Sequence, residues 1–165
     1  MKLRNMTCIY IENDDKILMM YKTKSRFWNA PKWTGIGGHF EENELNEPDK
    51  CILRELFEET GITEKDIAPV RLKYITIRKT DTEIRQQYIY FAELKNKNKC
   101  ISDCDEGKME WVEIEKIFSL HMSFNNLKAL QHYFNSGIKN DDIYVLTVAN
   151  NNGELVECIR VIYEY

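Results

Sequence analysis

Three glutamates, Glu55, Glu58 and Glu59, stand at i, i+3 and i+4 in the run GGHFEENELNEPDKCILRELFEETGI, residues 37–62. On a helix that spacing puts their carboxylates on one face. Local signals predict the helix from about Pro48 to about Thr60. Pro48 suits a first helical position because its missing N–H would be unpaired there anyway, Asp49 adds favourable negative charge, and Gly61 suits the left-handed stop. Ile52 and Leu56, with Cys51 beside them, form the opposite, buried face. By itself a Glu-rich helix face is a solvated surface. Here the like charges repel, and Arg54, four residues before Glu58, is one cation against many acids. Hard divalent ions fit the surplus, and oxygen-only ligands point to Mg2+, with Mn2+ as a substitute. Gly35, Gly37 and Gly38 form a tight loop that brings backbone close to a ligand.

The pattern Arg-Glu-Leu-x-Glu-Glu-x-Gly-Ile, preceded by Gly-Gly-x-x-Glu-x-x-Glu, resembles the signature of the Nudix hydrolases, G-x5-E-x7-R-E-U-x-E-E-x-G-U with U aliphatic. Gly38 matches the opening glycine and Glu44 the first acid. Arg54, Glu55 and Leu56 match the centre, and Glu58, Glu59, Gly61 and Ile62 the end. One departure stands out: nine residues, not seven, separate Glu44 from Arg54, and Asn46 occupies the strictly spaced position. An insertion just before Pro48 leaves the helix intact and puts the role of Glu44, a structural partner for basic groups in the family, in question. The resemblance spans residues 5–136.

The resemblance implies hydrolysis of a diphosphate linkage in a nucleoside triphosphate, a nucleotide sugar or a related small molecule. It assigns metal to Glu55, Glu58 and Glu59 with the Gly37 carbonyl. The proton acceptor is Glu58 or a later acid among Asp105, Glu106 and Glu110, of which Glu110 beside Trp111 is the most fixed. Arg54 joins the catalytic group as the partner of Glu58. Lys22, Lys24 or Arg26 supplies a phosphate-binding cation. Gly38 and His39 face the substrate, although His39 also reads as a partly buried structural histidine. Trp33, with Phe27 and Trp28, is placed to stack on a base. Lys32-Trp33-x-Gly-x-Gly-Gly further resembles the antimutator branch, which cleaves oxidised purine triphosphates to monophosphate and pyrophosphate. Thr34 and the pair Asn125 and Asn126 are then the residues able to read a purine edge; the asparagines also suit a helix start with no such role. The alternatives are a nucleotide-sugar or dinucleotide hydrolase and a catalytically idle nucleotide-binding domain, against which the intact set of helix acids speaks.

The chain has 165 residues and a net charge of −4. That length suits a single domain, and that charge supplies no basic field for polymeric nucleic acid. No apolar run of about 18 residues exists for a membrane span. Met1–Thr7 lacks the apolar block of a secretory signal, and five cysteines without regular pairing read as reduced thiols, so a cytoplasmic protein is expected. Cys100 and Cys104 read as loop thiols.

Strands are expected over 7–12, 16–22, 72–78, 86–94 and 109–114, with a short helix over 115–120. Ser123 caps a second long helix carrying Phe124, Leu127, Leu130 and Phe134 on one stripe, stopped before Gly137. This order fits an α+β fold, an α/β/α sandwich with a mixed central sheet. Residues 138–165 extend it with a hairpin about Asn151-Asn152-Gly153 that must lie on its own domain, on a second copy or over the pocket rim. Monomer and homodimer are both compatible with this organisation.

Overall fold

A computed structural model describes residues 1–23 and 30–162. Lys24, Arg26, Phe27 and Trp28, read above as candidate contacts, lie outside the described residues.

The eight described strands are β1 (Lys2–Asn13), β2 (Lys16–Lys22), β3 (Lys32–Thr34), β4 (Arg71–Lys79), β5 (Glu83–Glu93), β6 (Gly107–Glu113), β7 (Tyr144–Asn151) and β8 (Glu154–Val161). The helices are α1 (Pro48–Thr60), α2 (Ile114–Ile117) and α3 (Phe124–Asn135). The strands form one mixed sheet in the order β3-β2-β1-β5-β4-β7-β8, with β6 on β2. β1–β5 and β4–β7 are parallel and the remaining pairs antiparallel. None of the described helices is long and apolar enough to cross a membrane.

Strand alternation builds the two layers. Along β1, Ile9 and Ile11 face Ile52 and Leu56 of α1, while Cys8 and Tyr10 face Leu130 and Tyr133 of α3. The stripe of α3 is turned slightly from its expected place: Asn126, Ala129, Leu130 and Tyr133 are buried, and Phe124, Leu127 and Phe134 flank them. Phe91 and Tyr133 stack with ring centroids 3.5 Å apart.

The strands outrun their expected bounds at their polar ends. β1 begins at Lys2 and β5 at Glu83, because their first residues pair with each other from Lys2↔Glu83 to Met6↔Gln87. The C-terminal hairpin packs on its own domain. β7 adds to β4, and Tyr144, Leu146 and Val148 are buried in the α3-side core with Leu155, Ile159 and Val161 packed against it. Its turn places Asn152 at φ 52° and Gly153 at φ 95°, the left-handed backbone read from their types.

Candidate active site

The α1 start and stop follow the sequence signals. Pro48 opens the helix, Gly61 closes it at φ 70°, and the Gly61 N–H donates to Phe57 O at 2.8 Å. Residues 36–39 strap antiparallel to β1, with Thr7 N–H donating to Gly38 O at 2.9 Å. Gly37 is required there by backbone, and Gly38 lies close under the Glu55 carboxylate. At Gly37, φ is 141° and a Cβ would lie 2.4 Å from Thr7 O; at Gly38 a Cβ would lie 2.5 Å from Glu55 Oε1. The strap therefore rests directly on the acid face of α1.

Arg54 is the hub of that face. Its Nε and Nη2 donate to the two oxygens of Glu44, each at 2.8 Å, a bidentate pair. Its Nη1 donates to Glu55 Oε1 and Glu58 Oε2, each at 3.0 Å, and Nη2 also reaches His39 O at 3.2 Å. Glu44 is only 1% exposed, and the Arg54 hydrogen bonds, helped by the Glu41 N–H at 2.9 Å, hold its carboxyl down at about 2. The lengthened spacing thus leaves the Glu44–Arg54 pair in place. Residues 42–44 form a 3-10 turn, and the Glu47 N–H donates to Glu44 O at 2.8 Å just before α1 begins.

Among the described residues Glu59 forms no ion pair, and Lys22 acts on it only at a distance. Its Oε2 accepts the Gly37 N–H at 2.9 Å. Burial, with Glu106 and Glu55 adding repulsion, pushes its carboxyl up to about 8. Glu55 is raised too, chiefly by burial and against the pull of Arg54. Glu55, Glu58 and Glu59 share one face of α1, but their carboxylates do not meet at a single point. Among the described residues no three His, Cys, Asp or Glu side chains are grouped as metal ligands. Arg54 draws Glu55 and Glu58 aside while Glu59 turns to the strap. The donor set nevertheless fits a hard divalent ion: oxygen ligands only, two of them destabilised as anions by burial. Glu58 is held by a pair whose carboxylate side is 54% exposed and therefore weak, so its rotation costs little.

A second group of acids closes over this face from 103–106. Glu106 pairs with Lys22, the described member of the expected phosphate cations, and acts electrostatically on Glu55 and Glu59. Asp105 and Glu106 line both a cleft of about 850 Å3 and an adjoining one of about 600 Å3 that contains Glu58 and Glu59. Glu110 is misplaced as the loop acid. Its neighbours Met109 and Trp111 pack toward α1, so strand alternation turns Glu110 to the other face, where it is exposed and lines neither cleft.

The larger cleft gathers most of the remaining expected residues: Trp33, Thr34, Gly38, His39, Asn125 and Asn126. Trp33 packs on Tyr21, centroids 5.1 Å apart, and leans on the α3-side core while still reaching the cleft. His39 is exposed rather than structural, its Nε2 3.2 Å from Arg4 Nη1. Ser123 caps α3 by accepting the Asn126 N–H at 3.3 Å. That cap sets Asn125 (8% exposed) and Asn126 (3% exposed) into the cleft wall. Asn125 Nδ2 reaches Thr76 Oγ1 at 3.5 Å, but the Oδ1 atoms of both asparagines are buried without a partner. Arg4, Arg78, Arg85, Thr76 and Gln87 also line the cleft and escape sequence reasoning, since only strand register brings them together.

An acid-faced helix strapped by glycines at the mouth of a cleft, in an α/β/α sandwich, is the fold of the Nudix class. The family model described as NUDIX domain matches residues 1–133, and the chain belongs to that family of hydrolases, whose members generally need divalent metal ions. It is 29% identical over 125 residues to the uncharacterized Nudix hydrolase YvcI of Bacillus subtilis, covering 73% of each chain. In fold it is similar to the MutT protein of Bacillus halodurans, with TM-score 0.66, 22% identity and coverage of 96% of this chain and 97% of that one. The NUDIX domain of Shewanella oneidensis NrtR, solved in complex with ADP ribose, superposes with TM-score 0.63 at 14% identity over 81% of this chain and 86% of that one.

Proposed function

We propose that this chain is a Mg2+-dependent pyrophosphohydrolase of nucleoside triphosphates, acting foremost on an oxidised purine such as 8-oxo-2′-deoxyguanosine triphosphate and releasing monophosphate and pyrophosphate. Glu55, Glu58 and Glu59, with the Gly37 carbonyl, would hold the ion, for which Mn2+ is the substitute. When bound, the ion supplies charge neutralisation for the phosphate oxygens and a lowered pKa for water. Arg54 holds Glu55 and Glu58 in place on the acid face through its Nη1. Glu58 or Glu106 accepts the proton released by the attacking water; Glu106 replaces Glu110 in that role because it faces the helix. Lys22 and His39 contact phosphate, Trp33 stacks on the base, and Thr34 lies at its edge.

The observation that carries the substrate reading is the pair of buried, unpartnered Oδ1 acceptors of Asn125 and Asn126 in the cleft wall. Leaving such acceptors unpaired is costly, so a ligand that donates N–H groups there is favoured. An 8-oxopurine carries an N7–H donor where an ordinary purine carries an acceptor, and an acceptor-lined wall discriminates in its favour. Comparing kcat/KM for the oxidised and ordinary triphosphates tests this. The expected preference is about tenfold or more, falling toward unity in Asn126→Leu. Equal kcat/KM for both nucleotides in the unaltered protein would remove the oxidised purine from the reading. The proposed setting is the cytoplasm, with small nucleotides rather than polymeric nucleic acid as partners.

A further inference from the structure

Opposite the acid helix, the cleft holds a row of arginines that the hydrolysis of a simple triphosphate leaves unused. Register sets the row: Arg4 on β1 is level with Arg85 on β5, and Arg85 is level with Arg78 on β4. All three line the cleft. Along β1, Arg4 lies three residues before Thr7, which bonds the strap at Gly38. At about 3.3 Å per residue the row starts about 10 Å from the acid face, and two strand spacings carry it about 10 Å further.

Glu83 organises the near half of the row. It accepts from Arg4 Nε and Nη2 at 3.0 and 2.7 Å and from Arg85 Nε at 2.6 Å, which fixes both guanidinium planes. Neither Nη group of Arg85 is used in that bond. The guanidinium of Arg78, half-buried, makes no hydrogen bond or ion pair among the described residues; the like-charged Arg85 is its register partner, and burial together with that repulsion pulls its pKa down. Holding two half-buried guanidiniums side by side is unfavourable until an anion joins them. Forked donors of this kind match a phosphate bidentately. The net charge of −4 gives no general field for a polyanion, so the positive charge is local to the cleft.

We infer that the row Arg4, Arg85 and Arg78 is a second anion subsite, which selects substrates carrying a phosphate beyond the diphosphate that is cleaved. The inference rests on the hydrolase reading for the orientation of the substrate, with its scissile diphosphate at α1. Two sources share this chemistry: a phosphomonoester on a sugar at the far end of the ligand, and the tail of a longer polyphosphate.

Titration calorimetry without divalent metal separates them. ADP-ribose against ADP-ribose 2′-phosphate probes the first source, and adenosine 5′-triphosphate against adenosine 5′-tetraphosphate the second. In at least one pair the additional phosphate should tighten Kd about tenfold or more, as charge-assisted bonds to an arginine do. That advantage should shrink below about threefold in Arg78→Gln and be partly kept in Arg78→Lys. If Arg78→Gln does not fold, Arg85→Gln carries the same comparison. Equal affinities within both pairs, or an undiminished advantage in the glutamine variants, would overturn the subsite. Turnover with Mg2+ is scored separately: absence of any hydrolysis refutes the hydrolase reading, while the metal-free affinities still decide the subsite.

Discussion

The two ends of the cleft are built as opposites. At α1 one guanidinium, Arg54, is shared among Glu44, Glu55 and Glu58, and Glu59 is left with only a backbone N–H. At the start of β5 one carboxylate, Glu83, is shared between Arg4 and Arg85, and Arg78 is left with only a like-charged neighbour. In both places a single counter-ion, half-buried Arg54 or buried Glu83, fixes the geometry without neutralising the cluster. Each end is thereby kept short of the opposite charge, a cation at one and an anion at the other. The difference lies in what supports them. The acid end stands on a helix with its own caps, whereas the basic end stands on strand termini that depend on their neighbours in the sheet.

That difference can be broken most severely by truncation after Gly137. Loss of β7 removes Tyr144, Leu146 and Val148 from the core. At about 1.5–3 kcal/mol per buried side chain, the loss approaches the total stability of a domain. Denaturant titration should show a protein largely unfolded at 25 °C; a midpoint unchanged by truncation would mean that the basic end needs no support from the hairpin.

Next in size is Glu58→Gln, which should lower kcat about a thousandfold at fixed Mg2+, in line with the several kcal/mol that metal-assisted charge neutralisation contributes. Its far-UV circular dichroism should be unaltered, because the Glu58 side chain is half-exposed. Turnover within threefold of the parent would dismiss Glu58 from the acid site. Arg54→Ala follows, leaving Glu44 buried and unpaired at a cost of about 3 kcal/mol, read as a lowered melting temperature. An unshifted melting temperature would show that the hub contributes nothing to the fold.

The smallest effect concerns pH. Glu44 is held at about 2 in the fold, below the ordinary carboxylate value of 4.5, so the folded state binds its proton less readily than the unfolded chain. The stabilisation it contributes is complete above about 4.5 and is lost as pH falls from there through 2. The difference in unfolding free energy between the parent and Glu44→Gln should shrink over that acid window. A difference constant down to pH 2.5 would contradict the charged pair.

Sequence reasoning served the acid end better than the basic one. Pro48, the i, i+3, i+4 acids and Gly61 encode α1 locally, and its bounds follow from residue types alone. Caps and turns such as Ser123 and Asn152-Gly153 were legible for the same reason. Lys2–Met6 and Glu83–Arg85 carry no strand-like apolar alternation, and Arg4, Met6 and Arg85 among them line a polar cleft, so strand and site were hidden together. The row from Arg4 to Arg78 spans three strands far apart in sequence and exists only through register. Glu110 shows the converse error: a rigid strand position fixes a side chain firmly, but on the wrong face. Glu44 shows the strength of a bidentate pair, which forms across nine intervening residues as well as the family pattern forms it across seven.

The most direct test of the account is product analysis of nucleoside triphosphate hydrolysis, 8-oxo-2′-deoxyguanosine triphosphate included, with Mg2+ and again with excess EDTA. Monophosphate and pyrophosphate in equal amounts are expected with Mg2+, and no products with EDTA. Undiminished hydrolysis in EDTA, or orthophosphate as the sole released phosphate, would contradict the assignment of the acid end to a metal-dependent cleavage of the diphosphate linkage.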